Sequence, residues 1–306
     1  MPSLQMSSID LKKLLAGAQL PALPQSAIRL LELSQDASNG PAEFAVPIES
    51  DPGLTGQVLR FVNSSYFGFS REISSVKLAL TLVGIRTIKN FALWSAVFSL
   101  MPNPKCGPFD LKSLWQDSLR RALFARRVAR LLGLKEAEEP FAAALLQDMA
   151  VPLLAKEAPE LYVKLLDARD DGKIRLSFLE ERVFGWTHAE AAGIMARQWN
   201  LPDDFATLVE KHQSIERWVS QADKEPGKLA VALSALLPST VDSDWAECKS
   251  FEDYYQRSVP AGSQSVVEVL SEVDEEFTQF APVLKLATPS KSLVDRFNEV
   301  AAAAAP

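Results

Sequence analysis

A few residues in this chain have the types and spacing to do chemistry together. Asp148 lies inside the apolar run LLQDMA, Leu145 to Ala150, where an unpartnered carboxylate would be costly to bury. Its neighbour Gln147 cannot ionise, so the pair reads as half of a site. The chain holds two histidines, His188 and His212, both in segments that follow Asp148, and a second acid, Asp117, precedes it. Imidazole and carboxylate groups projecting from several helices into one core are how helical scaffolds hold metal ions. An ion held that way can activate water for hydrolysis. The first question is whether these four residues form a working metal centre or the remains of one.

The elements that must position them are helical. SAIRLLELSQD (Ser26 to Asp36) places apolar side chains near a 3.6-residue period after the breaker Pro24. DPGLTGQVLRFVNSSYF offers Asp51 as N-cap and Pro52 at the first helical position. SSVKLALTLVGIRTIKNFALWSAVFSL reads as two buried helices meeting near Gly84, and MPNPKCGPFD (Met101 to Asp110) as a linker. Helical patterns resume in LKSLWQDSLRRALFARRVARLLG, EPFAAALLQDMAVPLLAKE, APELYVKLLDARDDG and LSFLEERVFGW. In THAEAAGIMARQWN, Thr187 and Glu190 make a capping box, and in LPDDFATLVEKHQ a cap falls at Asp203 or Asp204. No alternating run supports a sheet and no solenoid period repeats, so the expected fold is all-α. Helices continue past Lys224, with a polar break at STVDSDW.

On the helix that carries it, Asp117 falls among Phe124, Val128 and Leu131, with Arg121 four residues later on the same side. An Asp–Arg pair at that spacing is favourable, and on a core-facing stripe its charges need each other or another acid. Arg120, Arg126, Arg127 and Arg130 share a different arc and read as a solvated face, a candidate contact surface for an acidic partner. The aromatics of NSSYFGFSREI (Tyr66, Phe67, Phe69), together with Trp186 and Trp199, read as packing residues.

Composition narrows the classes. With 306 residues, 47% of them hydrophobic, the chain can bury a large core. Its balance of 32 basic to 39 acidic residues, net −7, gives no general attraction to phosphate backbones, so nucleic acid is not an expected partner. Two distant cysteines, Cys106 and Cys248, fit a reducing compartment rather than a disulfide framework or thiolate zinc site. The N-terminus has no signal-peptide pattern, and the most apolar stretch, Phe91 to Met101, is far short of the ~20 residues of a membrane span. A cytoplasmic protein without a membrane partner is expected. Walker A, GxGxxG and GxSxG patterns are absent from the sequence.

The spacing from Leu111 to Gln213 resembles the HD superfamily of metal-dependent phosphohydrolases. LWQDSL resembles the first-ligand helix, with Asp117 where that family has His. LLQDMA resembles the His-Asp doublet, with Gln147 replacing His and Asp148 retained. THAEAAGIMARQWNLP keeps His188, and EKHQ resembles a His-His pair with His212 kept and Gln213 second. Adding LPALPQSAIRLLEL and IESDPGLTGQVLRFVNSSYFGFSREISSVKLALTLVGIRTIKN, the chain from Leu20 to His212 is similar to the HDOD family, an HD-related output domain of bacterial signalling proteins. That resemblance implies an α-helical fold and a regulatory, generally non-hydrolytic role.

Three ligand positions have changed to Asp, Gln and Gln, and a neutral carboxamide is a poor ligand for a transition metal. The expectation is therefore a vestigial cluster of Asp117, Arg121, Gln147, Asp148, His188, His212 and Gln213. No catalytic residue and no cofactor are expected; any metal would fall to Asp117, Asp148, His188 and His212. The expected organisation is an N-terminal segment (1–19), an HDOD-like region with a helical half (20–110) and a degenerate HD-like half (111–213), and a C-terminal helical region (214–306). The expected function is a signal-transduction module acting on a protein partner, with a small-molecule ligand in the remnant pocket as a further reading. A residual HD-type phosphohydrolase or cyclic-dinucleotide phosphodiesterase is the alternative.

Overall fold

The computed structural model describes residues 10–18 and 20–303. Among them every regular element is a helix and there is no strand, so the fold is all-α as the periodicity implied. The chain forms two compact units. One contains Ala22–Leu100 and Glu275–Thr288; the other is built chiefly from Met101–Asp274 and the chain from Pro289 onward. The helices after residue 213 thus belong to both units rather than to a region of their own.

In the first unit, helix boundaries follow local chemistry. Asp51 caps the Pro52–Val62 helix by accepting from Leu54 N–H at 3.0 Å, satisfying a donor the helix cannot use itself. Gly84, at φ 98°, separates Val76–Val83 from Ile85–Leu100 with a backbone turn that side chains resist. Phe61 stacks on Phe91 at 4.1 Å between centroids, and Tyr66 and Phe67 pack around Phe61 and Phe280. Phe69 stacks on Phe67 and remains partly exposed.

The second unit is organised around the long Leu111–Leu131 helix, capped by Asp110, which accepts from Ser113 N–H at 2.8 Å. The Glu138–Leu146 and Pro226–Ser234 helices pack against it and each other. The Asp203–Glu210 helix packs on both the His188–Gln198 and Glu138–Leu146 helices. The capping box at the start of His188–Gln198 is present, with Thr187 N–H donating to Glu190 at 2.9 Å. Gly193 is required here because a Cβ would come within 2.7 Å of Glu210 Cβ. That close approach sets the spacing of the helix that carries His188 from the one that leads to His212.

The arginine arc is not a free surface. Arg120 and Arg126 are buried. Arg120 donates to Lys291 O at 2.8 Å and pairs with Asp274 at 3.4 Å, while Arg126 lies over the Phe141 ring. Arg127 pairs with Glu272, and only Arg130 is mainly exposed, 3.7 Å from Glu138. The expected contact face is corrected for a physical reason. The helical wheel found the arc, but acids more than a hundred residues further along the chain fold back onto it. Trp186 and Trp199 are buried, as their packing role required.

Candidate functional site

The break between Leu146 and Val151 turns Asp148 off the end of its helix and into the interior of the second unit. Its two oxygens have different partners. Oδ2 accepts a hydrogen bond from Arg121 Nη1, which reaches it from the long central helix. Oδ1 faces His188 Nε2 at 3.1 Å and His212 Nε2 at 3.8 Å. His188 is fixed from behind by Glu180, whose Oε2 lies 2.6 Å from ring Nδ1 and accepts the His188 backbone N–H at 2.8 Å. Glu180 is fully buried and its other oxygen accepts from Tyr162 Oη at 2.8 Å. His212 follows the Asp203–Glu210 helix, with Nδ1 donating to Val209 O at 2.7 Å. The Gln213 carboxamide touches both histidines, at 3.0 and 3.4 Å.

Asp148, Arg121, His188, His212 and Gln213 therefore come together as expected from their spacing. Two of the expected seven residues do not join them. Asp117 is buried but turned to the loop after the Pro226–Ser234 helix, accepting from Thr240 N–H at 2.8 Å and Ser239 Oγ at 2.5 Å. The anticipated Asp117–Arg121 ion pair is replaced by Arg121 bonding to Asp148, although the Arg121 charge still acts on Asp117. Gln147 is wholly buried outside the cavity, and its amide nitrogen and oxygen find no hydrogen-bond partner among the described residues.

Glu180 was not anticipated. The signal was present: it sits four residues after Leu176 and four before Phe184, on an apolar stripe of its helix, where a lone acid needs a donor. Ser239 and Thr240 carried no such signal, being ordinary residues of a polar break.

Burial opposes charge on every member, and the neighbours decide the outcome. His188 loses to burial but gains more from Glu180 and Asp148, and its pKa rises to about 9. Burial raises Asp148, yet Arg121 and His188 hold it well below the usual carboxylate range. His212, with weaker compensation, is pushed down by burial to about 3. The shifts favour a charged His188 beside Arg121 and Asp148, and a neutral His212.

Whether this set fits a metal ion can be judged from the donors. Oxygen or nitrogen atoms of Asp148, His188 and His212 lie within 4.8 Å of one another, close enough for one ion. Asp117, expected as a ligand, is outside that group. The charges do not fit. A cation there would sit beside a guanidinium already bonded to Asp148. Arg121 already does what an ion would do for the carboxylate.

The cluster opens on a cavity of about 370 Å³, within the size range of small-molecule sites. Its three lining arginines are already engaged with carboxylates: Arg121 with Asp148, Arg169 with Asp242, and Arg175 with Glu247 at 3.2 Å.

Comparison with known proteins agrees with this architecture. Residues 20–215 match the HDOD domain. An uncharacterized protein of Treponema pallidum is 23% identical over 197 residues, taking in 63% of this chain but only 38% of that protein. The crystal structure of an HDOD domain protein with unknown function from Geobacter sulfurreducens superposes with a TM-score of 0.71 at 22% identity, covering 89% of this chain and 96% of that one. A candidate phosphohydrolase of Shewanella amazonensis gives 0.62 at 20% identity, covering 97% and 100%. A protein of Marinobacter aquaeolei described as a candidate for signal transduction gives 0.62 at 19%, covering 97% and 62%. These likenesses are of fold. With the domain match extending over well more than half of its length, the chain belongs to the HDOD family.

Proposed function

We propose that this chain is a regulatory module of bacterial signal transduction that works in the cytoplasm by contact with a protein partner and does not hydrolyse phosphoesters. The observation that carries the reading is the state of Asp148. Its carboxylate accepts from Arg121 on one oxygen and faces His188 on the other, so a guanidinium already neutralises the acid that a catalytic ion would need. A phosphoester would also find the arginines of the cavity already paired. No helix among the described residues is long and apolar enough to cross a membrane, which leaves the expectation of a cytoplasmic site of action standing as part of this proposal.

The test is metal analysis of protein purified without chelator, beside assays on a phosphodiester and a cyclic dinucleotide with Mn²⁺, Fe²⁺ or Zn²⁺ supplied. The expected result is no stoichiometric metal and no turnover above buffer. Recovery of the same partner by wild type and by an Asp148→Asn variant would support action by contact. Metal that is lost together with hydrolysis in Asp148→Ala would overturn the reading. That outcome is the second reading, a residual phosphohydrolase, and one observation favours it: the convergence of Asp148, His188 and His212 within the span of a single ion.

A further inference from the structure

The last helix of the second unit, Leu293–Ala303, lies beyond the residues that match the HDOD domain. It is seated by specific bonds. The Asp274 carboxylate accepts the backbone N–H of Leu293 at 3.1 Å and of Val294 at 3.2 Å, satisfying donors of the first turn. Arg120 binds both Asp274 and Lys291 O. Leu293 is fully buried and Phe297 meets Trp245 edge-on at 6.2 Å.

From this helix the buried Arg296 reaches a single loop. Its guanidinium donates to the carbonyls of Ser239 at 2.6 Å, Asp242 at 2.5 Å and Asp244 at 3.3 Å. A guanidinium offers five donors in a rigid fork, and here three bonds fasten consecutive turns of one loop. The same loop faces the site. Ser239 and Thr240 bond Asp117, Asp242 pairs with Arg169, and Asp244 N–H donates to Asp171 O at 2.9 Å. Ser239, Val241, Asp242 and Asp244 all line the cavity next to His188 and His212. Three loop carbonyls thus depend on one side chain of a helix that is itself held at its first turn.

The geometry points to the C-terminal helix as a latch: seated, it closes the 239–244 loop over Asp117 and the histidine cluster, and unseated, it opens the cavity. This rests on the reading of the site as regulatory and gives the site a means of control. Arg296 acts as a positioning residue, since it touches the loop and not the cluster. Asp274 acts one step earlier, on the helix and not on the loop.

The experiment compares full-length wild type with Arg296→Ala and, independently, Asp274→Ala. Peptide-resolved hydrogen exchange is read at Thr240 and Asp244 and along His188–Gln198. Carbethoxylation of His212, which lines the cavity, reports access to it. In both variants exchange at the loop amides and histidine labelling are expected to rise by about tenfold or more, while the His188–Gln198 helix stays protected. If Arg296→Ala fails to fold, Asp274→Ala decides, because it leaves the Arg296 fork in place. Unchanged loop exchange and labelling would overturn the latch, and so would a helix that exchanges faster by the same factor as the loop. Either failure leaves the non-hydrolytic reading intact. Metal-dependent turnover by wild type would instead remove that reading without altering the exchange result.

Discussion

Glu180 accepts two hydrogen bonds from His188 on one oxygen, from the backbone N–H at 2.8 Å and from ring Nδ1 at 2.6 Å. This fixes both the start of the His188–Gln198 helix and the protonation of its first side chain. Replacing Glu180 with Gln removes the charge that holds the proton, so the His188 pKa should fall toward its ordinary value near 6.5. Titration of the His188 ring resonance by NMR checks this, and an unchanged pKa would show that Asp148 alone sustains the charge.

Stability should depend on pH with opposite signs for the two histidines. His188 rises from 6.5 to about 9 on folding, so its contribution is complete below pH 6.5 and is lost as pH climbs through 9. His212 falls from 6.5 to about 3, so its contribution is complete above pH 6.5 and is lost as pH drops toward 3. Asp148 is depressed as well and adds to the acid loss below roughly pH 4. Melting temperature should peak near pH 6.5, and His188→Gln should flatten the alkaline side. An alkaline side unchanged in that variant would contradict the assignment.

Asp148→Ala would strand Arg121 and His188 in the interior. Removing one partner of a buried pair typically costs about 3–5 kcal/mol. Arg121→Met alone should be comparably harmful, and the double variant Asp148→Ala, Arg121→Met should be less destabilised than the sum of the single changes. Denaturant unfolding of the four proteins gives the coupling. Strict additivity would mean that the two groups do not depend on each other.

Gln147 is the opposite case, a buried amide with nothing to lose. Gln147→Met keeps the volume and removes two orphaned polar atoms, each of which costs roughly 1–3 kcal/mol when left unmade. A gain of about 1 kcal/mol in chemical denaturation is expected. A loss would mean that the amide has a partner in solution.

Gly193→Ala should damage the site from a distance. The added methyl would meet Glu210 Cβ and Cγ at 2.7 and 2.8 Å. Overpacking of this kind typically costs about 1–3 kcal/mol. Because the clash lies between the helix of His188 and the helix before His212, the ring signals of both should shift in NMR spectra. A stable protein with unmoved histidine signals would show that the helices have room to separate.

How much of this was legible in the chain follows from what is local. Helix periods, the caps at Asp51 and Thr187, and the break at Gly84 depend on a few neighbouring residues, so the all-α fold could be read directly. The ordered spacing of Asp148, His188, His212 and Gln213 also survived as a real cluster, because regular helices preserve the pattern that places them. What the linear order did not reveal was which charge meets which. Arg121 passes its near neighbour Asp117 to reach Asp148, Asp117 turns to Ser239 and Thr240, and Arg120 and Arg127 are claimed by Asp274 and Glu272. A helical wheel shows that a polar residue shares a face, but only the packed fold says what occupies the space opposite. Burial then makes the difference decisive, since in a low-dielectric interior the identity of one partner sets whether a site holds an ion or has already been neutralised.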